Sequence, residues 1–388
     1  MKILHTGDWH IGKLVHGRHM TEDQRHMLRQ LIDLLVEEQV DVLVIAGDVY
    51  DRSIPPTDAV ELLDEVLSEI VMTHGIKVIA VSGNHDSPDR LEFGSNILKD
   101  KGLHIIGRLS KQVAPITVAD DYGCVHFYPI PYAEPAIVRA LYDNEACKNH
   151  DNAIETIMST IKETMNDEER NVCIGHAFVM GTETLETSDS ERPLSIGGSE
   201  YVDVNHYESF DYTALGHLHR PQKVKHDHIR YSGSLLKYSF SEAIQKKSVT
   251  LIDLREKGVI DIQQRVLAPL RDMRIIEGAL EELLDPAVYS FANTEDYINA
   301  VLTDRGALFE PVRQLRTVYP NILQLERSKT LTVDEDEVVV TSEDLRNRDV
   351  AELFSEFFQS VTGDETTEEE MHLFAEVVSQ VEKEERSK

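Results

Sequence analysis

Five short segments put a cation-binding side chain directly after a glycine. They are Gly7-Asp8-Trp9-His10, Gly47-Asp48, Gly83-Asn84-His85-Asp86, Gly175-His176 and Gly216-His217-Leu218-His219. Asp8 and His10 are two residues apart, as are His217 and His219. In extended chain, side chains at that spacing leave the same face, so each pair can grip one ion. A glycine ahead of a ligand lets the backbone turn and come close to the ion. Taken singly these motifs are weak. Asp-x-His is often a surface or capping feature, and Gly-Asp after an apolar strand is often only a turn. Gly-Asn-His-Asp is more distinctive, because an asparagine and a histidine together add little packing at a strand end.

What gives the five segments meaning is what precedes them. Val42 to Ala46 is a continuous apolar run ending in Gly47 and Asp48, the signature of a strand buried on both faces. Residues 2–7, 76–81, 172–174 and 212–215 read as strands that end in the same way. Helical spacing of Met27, Leu28, Leu31, Ile32 and Leu35 predicts a first helix, with Thr21 as its N-cap. Pro55-Pro56-Thr57 opens a second, carrying Leu62, Leu63, Val66, Leu67 and Ile70 and stopped by Gly75. Pro88 opens a third, to about Asp100. This alternation of strand and helix predicts α/β architecture with a parallel sheet. In such sheets ligands bind at the carboxyl ends of the strands, where all five segments lie.

Further along, strands are expected near 103–106 and 124–130, and helices near 134–147 and 151–166. Residues 181–198 are polar and read as a long mobile loop. Short β segments near 222–226, 229–233, 248–254 and 259–267 are spaced like a meander. A second unit begins after Pro269, with strand and helix pieces in β-α-β order and no chemical motif. An acidic linker, Asp334 to Glu337, leads to a helical tail. One apolar face of the tail carries Leu353, Phe354, Phe357 and Phe358; another runs from Met371 to Val381.

Composition sets limits. With 41% hydrophobic residues the chain can build a large core and is not a disordered polymer. Cys124, Cys147 and Cys173 form no CxxC pair, which suits free thiols in a reducing cytoplasm. No apolar run approaches the roughly 20 residues of a membrane span, and the first residues lack a signal-peptide core. Thirty-nine basic against 70 acidic residues give a net charge of −31. That argues against nucleic acid as a partner, because Lys and Arg dominate phosphate binding. The distribution qualifies this. Residues 220–247 hold seven basic and two acidic side chains, net +5, whereas residues 330–388 hold five basic and eighteen acidic, net −13.

The order Asp-x-His, Gly-Asp-x-x-Asp, Gly-Asn-His-Asp, Gly-His, Gly-His-x-His resembles that of the calcineurin-like metallophosphoesterases. Ile3 to Gly12 (ILHTGDWHIG), Asp211 to Arg220 (DYTALGHLHR) and Tyr231 to Ser234 (YSGS) narrow the likeness to the bacterial SbcD family. The motifs span residues 3–240; beyond about 270 only the layout is similar. The resemblance implies a sandwich of two mixed β-sheets flanked by helices (residues 1–268). A small α+β capping domain (269–333), the linker (334–341) and a helical region that binds the SbcC ATPase (342–388) follow.

It implies a ligand set as well. Asp8, His10, Asp48 and His219 would hold a first ion; Asp48, Asn84, His176 and His217 a second, with Asp48 shared. Oxygen and imidazole donors without thiolate suit manganese, with magnesium, iron and zinc as alternatives. Two such ions about 3.5–4 Å apart lower the pKa of a bound water and neutralise phosphate oxygens. His85 would stabilise the transition state or protonate the leaving oxygen, and Asp86 would orient its imidazole. Archaeal relatives carry histidine where this chain has Asp51, which leaves any role for position 51 open.

The implied function is a cytoplasmic, nucleoid-associated DNA nuclease of repair, recombination and replication. It would be a 3′–5′ exonuclease on double strands and an endonuclease on single strands and hairpins, gated by SbcC in a complex of two copies of each. Helices near 57–72 and 88–99 would form the homodimer contact. The competing reading is a phosphatase or cyclic-nucleotide phosphodiesterase with the same dimetal site. A non-catalytic scaffold fits poorly, since every expected ligand is present.

Overall fold

The computed structural model of the protein describes residues 1–194, 200–304, 306, 308–328, 350–362, 366–367, 370–375 and 377–378. The chain divides into two compact units, Met1–Met273 and Arg274–Lys388.

The first unit is an α/β sandwich of two six-stranded mixed sheets. In one sheet the strands run Ile260–Val266, Ser248–Leu254, Lys2–Thr6, Val42–Ala46, Lys77–Val81, Leu103–Ile106. The last four are mutually parallel, and Ser248–Leu254 pairs antiparallel with both its neighbours. In the other the order is Gln222–Val224, His226–Tyr231, Tyr212–Gly216, Arg170–His176, Gly123–Ile130, Ile116–Asp120. Its four inner strands are parallel and both its edges antiparallel.

Side-chain alternation along each strand decides what fills the space between the sheets. Val42, Val44 and Ala46 from the first sheet meet Phe127, Val172, Ile174 and Ala214 from the second in one buried cluster. The outer face of the second sheet is covered by the helix His150–Lys162, whose Ala153, Ile154, Ile157 and Ile161 are buried. The helices Thr21–Glu37 and Thr57–Ser68 each bury one apolar stripe made of the residues named from their periodicity, except that Ile70 is buried in the wider turn Glu69–Thr73 that follows the second helix.

Several expectations need correction. Thr21 is the first helical residue rather than the cap; Met20 precedes it without a capping side chain, and the Thr21 hydroxyl donates to Asp58 Oδ2 at 2.9 Å. One helix from Pro88 to about Asp100 is replaced by Pro88–Leu91 and Ser95–Leu98. Gly94 lies between them at φ +79°, a left-handed conformation that stops the first and restarts the second. The helix near 134–147 ends at Tyr142. The four late β segments are no meander. Gln222–Val224 and His226–Tyr231 lie in one sheet, Ser248–Leu254 and Ile260–Val266 in the other. Ile116–Asp120, an edge strand whose burial only partly alternates, has no clear signature in sequence.

The second unit holds a three-stranded sheet, Met273–Gly278, Tyr297–Leu302 and Ile322–Arg327. Leu280, Leu283, Ile298, Leu315 and Ile322 close its core. The acidic linker 334–341 lies outside the described residues, as do parts of the tail. Within the tail, helix Val350–Thr362 carries Phe354, whose ring stacks on Phe374 at 3.9 Å and 7°. The two apolar stretches of the tail thus meet each other through these rings.

Candidate metal centre

The parallel strands deliver their glycines to one rim of the sandwich. Asp8 follows Lys2–Thr6, Asp48 follows Val42–Ala46, Asn84 and His85 follow Lys77–Val81, His176 ends its strand, and His217 and His219 follow Tyr212–Gly216. Tight approach demands glycine there. A Cβ on Gly216 would lie 1.7 Å from the Ala46 carbonyl oxygen, and one on Gly47, at φ +88°, would lie 2.3 Å from His176 Nδ1. Asp8, His10, Asp48 and His217 themselves have positive φ, 51°, 47°, 48° and 111°. Such conformations in non-glycine residues cost energy and cluster at functional sites.

The side chains converge. Asp48 Oδ2 lies 3.7 Å from His10 Nε2 and 3.5 Å from His176 Nε2. His10 Nε2 and His219 Nε2 are 3.1 Å apart. His176 Nε2 is 2.9 Å from Asn84 Oδ1, and the His176 and His217 ring centroids are 5.5 Å apart. Three overlapping groups could each hold a cation: Asp8 with His10 and His219, Asp8 with Asp48 and His176, and His10 with Asp51 and His85. Asp8, His10, Asp48, His176, His217 and His219 are buried, while Asn84 and His85 are half-buried.

Backbone groups hold these side chains in place. The His217 amide donates to both Asp8 carboxylate oxygens at 2.9 and 3.1 Å. The His85 amide donates to Asp48 Oδ1 at 2.9 Å. His176 Nδ1 faces the Ala46 carbonyl at 2.9 Å, and His85 Nδ1 faces the Asp51 carbonyl at 2.8 Å. A carbonyl only accepts, so both Nδ1 atoms carry hydrogen and both Nε2 atoms are free to coordinate or exchange a proton. The expected Asp86–His85 contact is therefore replaced. Asp86 instead accepts from the amides of Val49, Tyr50 and Gly83 at 3.1, 2.9 and 2.9 Å.

The electrostatics suit cations. Burial, and then the Asp48 charge, raise the Asp8 carboxyl well above its usual range. Asp86 is pushed up to about 7 by burial and by Asp48. Burial lowers His10, His176, His217 and His219, leaving neutral imidazoles. Buried carboxylates crowd with neutral imidazoles, and two imidazole nitrogens face each other at contact distance. A pair of divalent ions fits this donor set, since it would balance the carboxylate charge and occupy the point where the nitrogens converge.

Residues 1–221 match the calcineurin-like phosphoesterase family, and residues 269–362 match the type 5 capsule protein repressor C-terminal domain. The SbcD component of the SbcCD nuclease of Staphylococcus epidermidis is 35% identical over 325 residues, 84% of this chain and 85% of that protein. Its counterpart in Staphylococcus saprophyticus is 33% identical over 370 residues, 95% of each chain. The chain belongs to the SbcD family. Among solved structures, a dimetal phosphatase from Danio rerio superposes with TM-score 0.42 and 13% identity, covering 70% of this chain and 98% of that one.

In this SbcD-family chain a second layer of residues, with no signature in the sequence, surrounds His219. Ser190 Oγ is 2.6 Å from His219 Nδ1, and Glu242 Oε1 is 3.3 Å from it. The His219 amide donates to Glu191 Oε1 at 2.7 Å. Lys247 Nζ donates to Glu242 Oε2 at 2.6 Å and to the His219 carbonyl at 2.8 Å. Burial would favour the acid form of Glu242, but Lys247 and His219 outweigh it and hold the carboxyl well below its usual range. Ser190 and Glu191 come from the polar segment 181–198, and nothing in its composition marks them out.

The basic segment has a different use from the one its composition suggests. Arg220 pairs with Glu186, Lys223 with Asp227, Lys225 with Glu208, Lys237 with Asp272 and Lys247 with Glu242. Of its seven basic residues, five are thus engaged in ion pairs. No helix among the described residues is long and apolar enough to cross a membrane.

Proposed function

We propose that this chain is the nuclease subunit of an SbcCD-type complex, cutting DNA phosphodiesters with two divalent ions, manganese first among them. Membership of the SbcD family makes it a metal-dependent phosphodiesterase of nuclease type. One observation carries the site assignment: a single carboxylate oxygen, Asp48 Oδ2, lies between His10 Nε2 and His176 Nε2 at 3.7 and 3.5 Å. That is the position of a shared ligand. Asp8, His10 and His219 complete one side of it; Asn84, His176 and His217 complete the other.

When bound, the ions supply an activated water and neutralise phosphate oxygens. The chain supplies the rest. Asn84 is neutral and limits the negative charge facing an anionic substrate. His85 Nε2 lies on the Asp48 side of the site, 4.0 Å from Oδ2; with Nδ1–H held on the Asp51 carbonyl, Nε2 is the atom that takes up a proton and, from the imidazolium so formed, passes it to the leaving oxygen. Asp51 keeps His85 in that tautomer through its backbone carbonyl.

The finer reading is a 3′–5′ exonuclease on double strands and an endonuclease on single strands and hairpins, gated by SbcC. The tail 342–388 is the proposed SbcC contact. The proposed homodimer contact is supported by exposed Val60, Met72, Phe93 and Ile97 on the segments 57–72 and 88–99. A manganese-dependent cleavage assay on a DNA hairpin, with and without SbcC and ATP, tests all of this. Cleavage that needs the metal and responds to ATP is the expected result. The alternative is a small-phosphodiester hydrolase, favoured by the ion-paired state of the basic segment. Turnover of a chromogenic phosphodiester with none on DNA would establish that alternative.

A further inference from the structure

The three imidazoles oriented through Nδ1 are not oriented alike. His176 and His85 face main-chain carbonyls, those of Ala46 and Asp51. His219 alone faces side chains: Ser190 Oγ at 2.6 Å and Glu242 Oε1 at 3.3 Å. The hydrogen positions follow from Glu242. Its carboxylate can only accept, and both Ser188 Oγ, at 2.6 Å, and Ser190 Oγ donate to Oε1. Ser190, having given its hydrogen to Glu242, accepts from His219 Nδ1. His219 therefore carries hydrogen on Nδ1 and shows a bare Nε2 to His10, 3.1 Å away.

This arrangement is built, not incidental. Glu242 is fully buried and Lys247 nearly so. A buried carboxylate is tolerated only with a counter-charge and filled hydrogen-bonding positions, and Lys247 Nζ supplies the first at 2.6 Å. Lys247 also reaches the His219 carbonyl at 2.8 Å and Gln245 Oε1 at 2.9 Å, so it ties the Glu242 turn to the ligand's own backbone. Carboxylate behind imidazole behind metal raises the basicity of the ligand and fixes its ring.

We propose that Glu242, through Ser190 and with Lys247 as its counter-charge, is the positioning residue that makes His219 a strong Nε2 ligand. The side of the centre shared by His10 and His219 is thereby tuned by a buried charge, while on the other side the hydrogen-bond partner of His176 Nδ1 is the Ala46 carbonyl. The two cation positions should then differ in how they respond to substitution. This rests on the dimetal reading above.

The test is manganese binding to the full chain, followed by electron paramagnetic resonance of free manganese and by titration calorimetry. The unaltered protein is expected to take two ions. Glu242→Gln keeps the shape and removes the charge; it should weaken one of the two ions by about tenfold and leave the other in place. Glu242→Ala should weaken the same ion by up to about a hundredfold. Cleavage lost at limiting manganese should return as manganese is raised. If Glu242→Ala does not fold, Glu242→Gln and Ser190→Ala carry the test, since neither opens a large cavity. Two ions bound with unaltered affinity in both of these variants would overturn the proposal, as would weakening of both ions equally. An unaltered protein that binds no manganese removes the dimetal reading itself and this inference with it.

Discussion

His10 Nε2 and His219 Nε2 meet at 3.1 Å, from positions 209 residues apart in the chain. Both rings are buried and both are kept neutral by burial. The bare His219 Nε2 meets either a hydrogen on His10 Nε2 or a cation held between the two rings, and a cation that binds the folded chain and not the unfolded one stabilises the fold. The metal-free protein should therefore be less stable than the loaded one. Manganese at a hundred times its dissociation constant should add about 2.7 kcal/mol per site, read as a higher melting temperature that chelator reverses. Coincident melts with manganese and with chelator would refute it.

Asp48 is the oxygen donor placed to serve both sides. Asp48→Ala should reduce cleavage by at least about a thousandfold, corresponding to roughly 4 kcal/mol of lost transition-state stabilisation. The fold should survive, because the change also removes a charge that raises Asp8 and Asp86. Steady-state cleavage beside a circular-dichroism melt measures both effects. Normal cleavage by this variant would remove Asp48 from the centre.

His85 makes a separable prediction. Its Nε2 is 4.0 Å from Asp48 Oδ2 and its Nδ1 is bound to the Asp51 carbonyl. His85→Ala should lower kcat by about 10²–10⁴-fold, the usual range for a lost general acid. Two manganese ions should still bind. A variant that loses an ion would make His85 a ligand instead of a proton donor.

Away from the centre, Asp120 holds Arg170, which ties the two sheets together. Its carboxylate accepts from Arg170, which also donates to the Leu254 and Arg255 carbonyls at 3.1 and 2.8 Å. Hydrogen bonding to Arg170 holds the Asp120 carboxyl far below its usual range. A carboxyl depressed in the fold stabilises it above the unfolded value of about 3.9 and loses that contribution as pH falls. Asp120→Asn should thus cost about 2 kcal/mol at pH 7. The gap between variant and parent should narrow as pH drops below about 4. A gap that stays constant from pH 7 to pH 3 would show that charge is not the cause.

Much of this was legible in the residues. The apolar run Val42 to Ala46 closing on Gly47 and Asp48 indicates a buried parallel strand with a carboxylate at its end, because local pattern and tertiary placement coincide there. Asp8, His10, His176, His217 and His219 followed for the same reason, and the structure brings all of them to one rim. What escaped depends on long-range meetings that leave no local trace. Glu242 sits in a short turn and Ser190 in a polar stretch; only folding puts both behind His219. The Gly94 break was hidden because helical spacing continues across it. The ion pairs of the basic segment are not visible in composition, which counts charges without their partners; Glu186, Glu208 and Asp272 lie outside residues 220–247.

The candidate centre draws on both sheets, and the last of its proposed ligands stands at position 219, with Glu242 and Lys247 later still. A chain leaving the ribosome carries Asp8, Asp48 and His85 long before the strand Tyr212–Gly216 exists. Until that strand is laid beside Arg170–His176, nothing brings His217 and His219 to the rim. With the proposed ligand set, cutting power would arrive only with the completed sandwich, so a half-made chain would expose no finished blade to the nucleic acids around it.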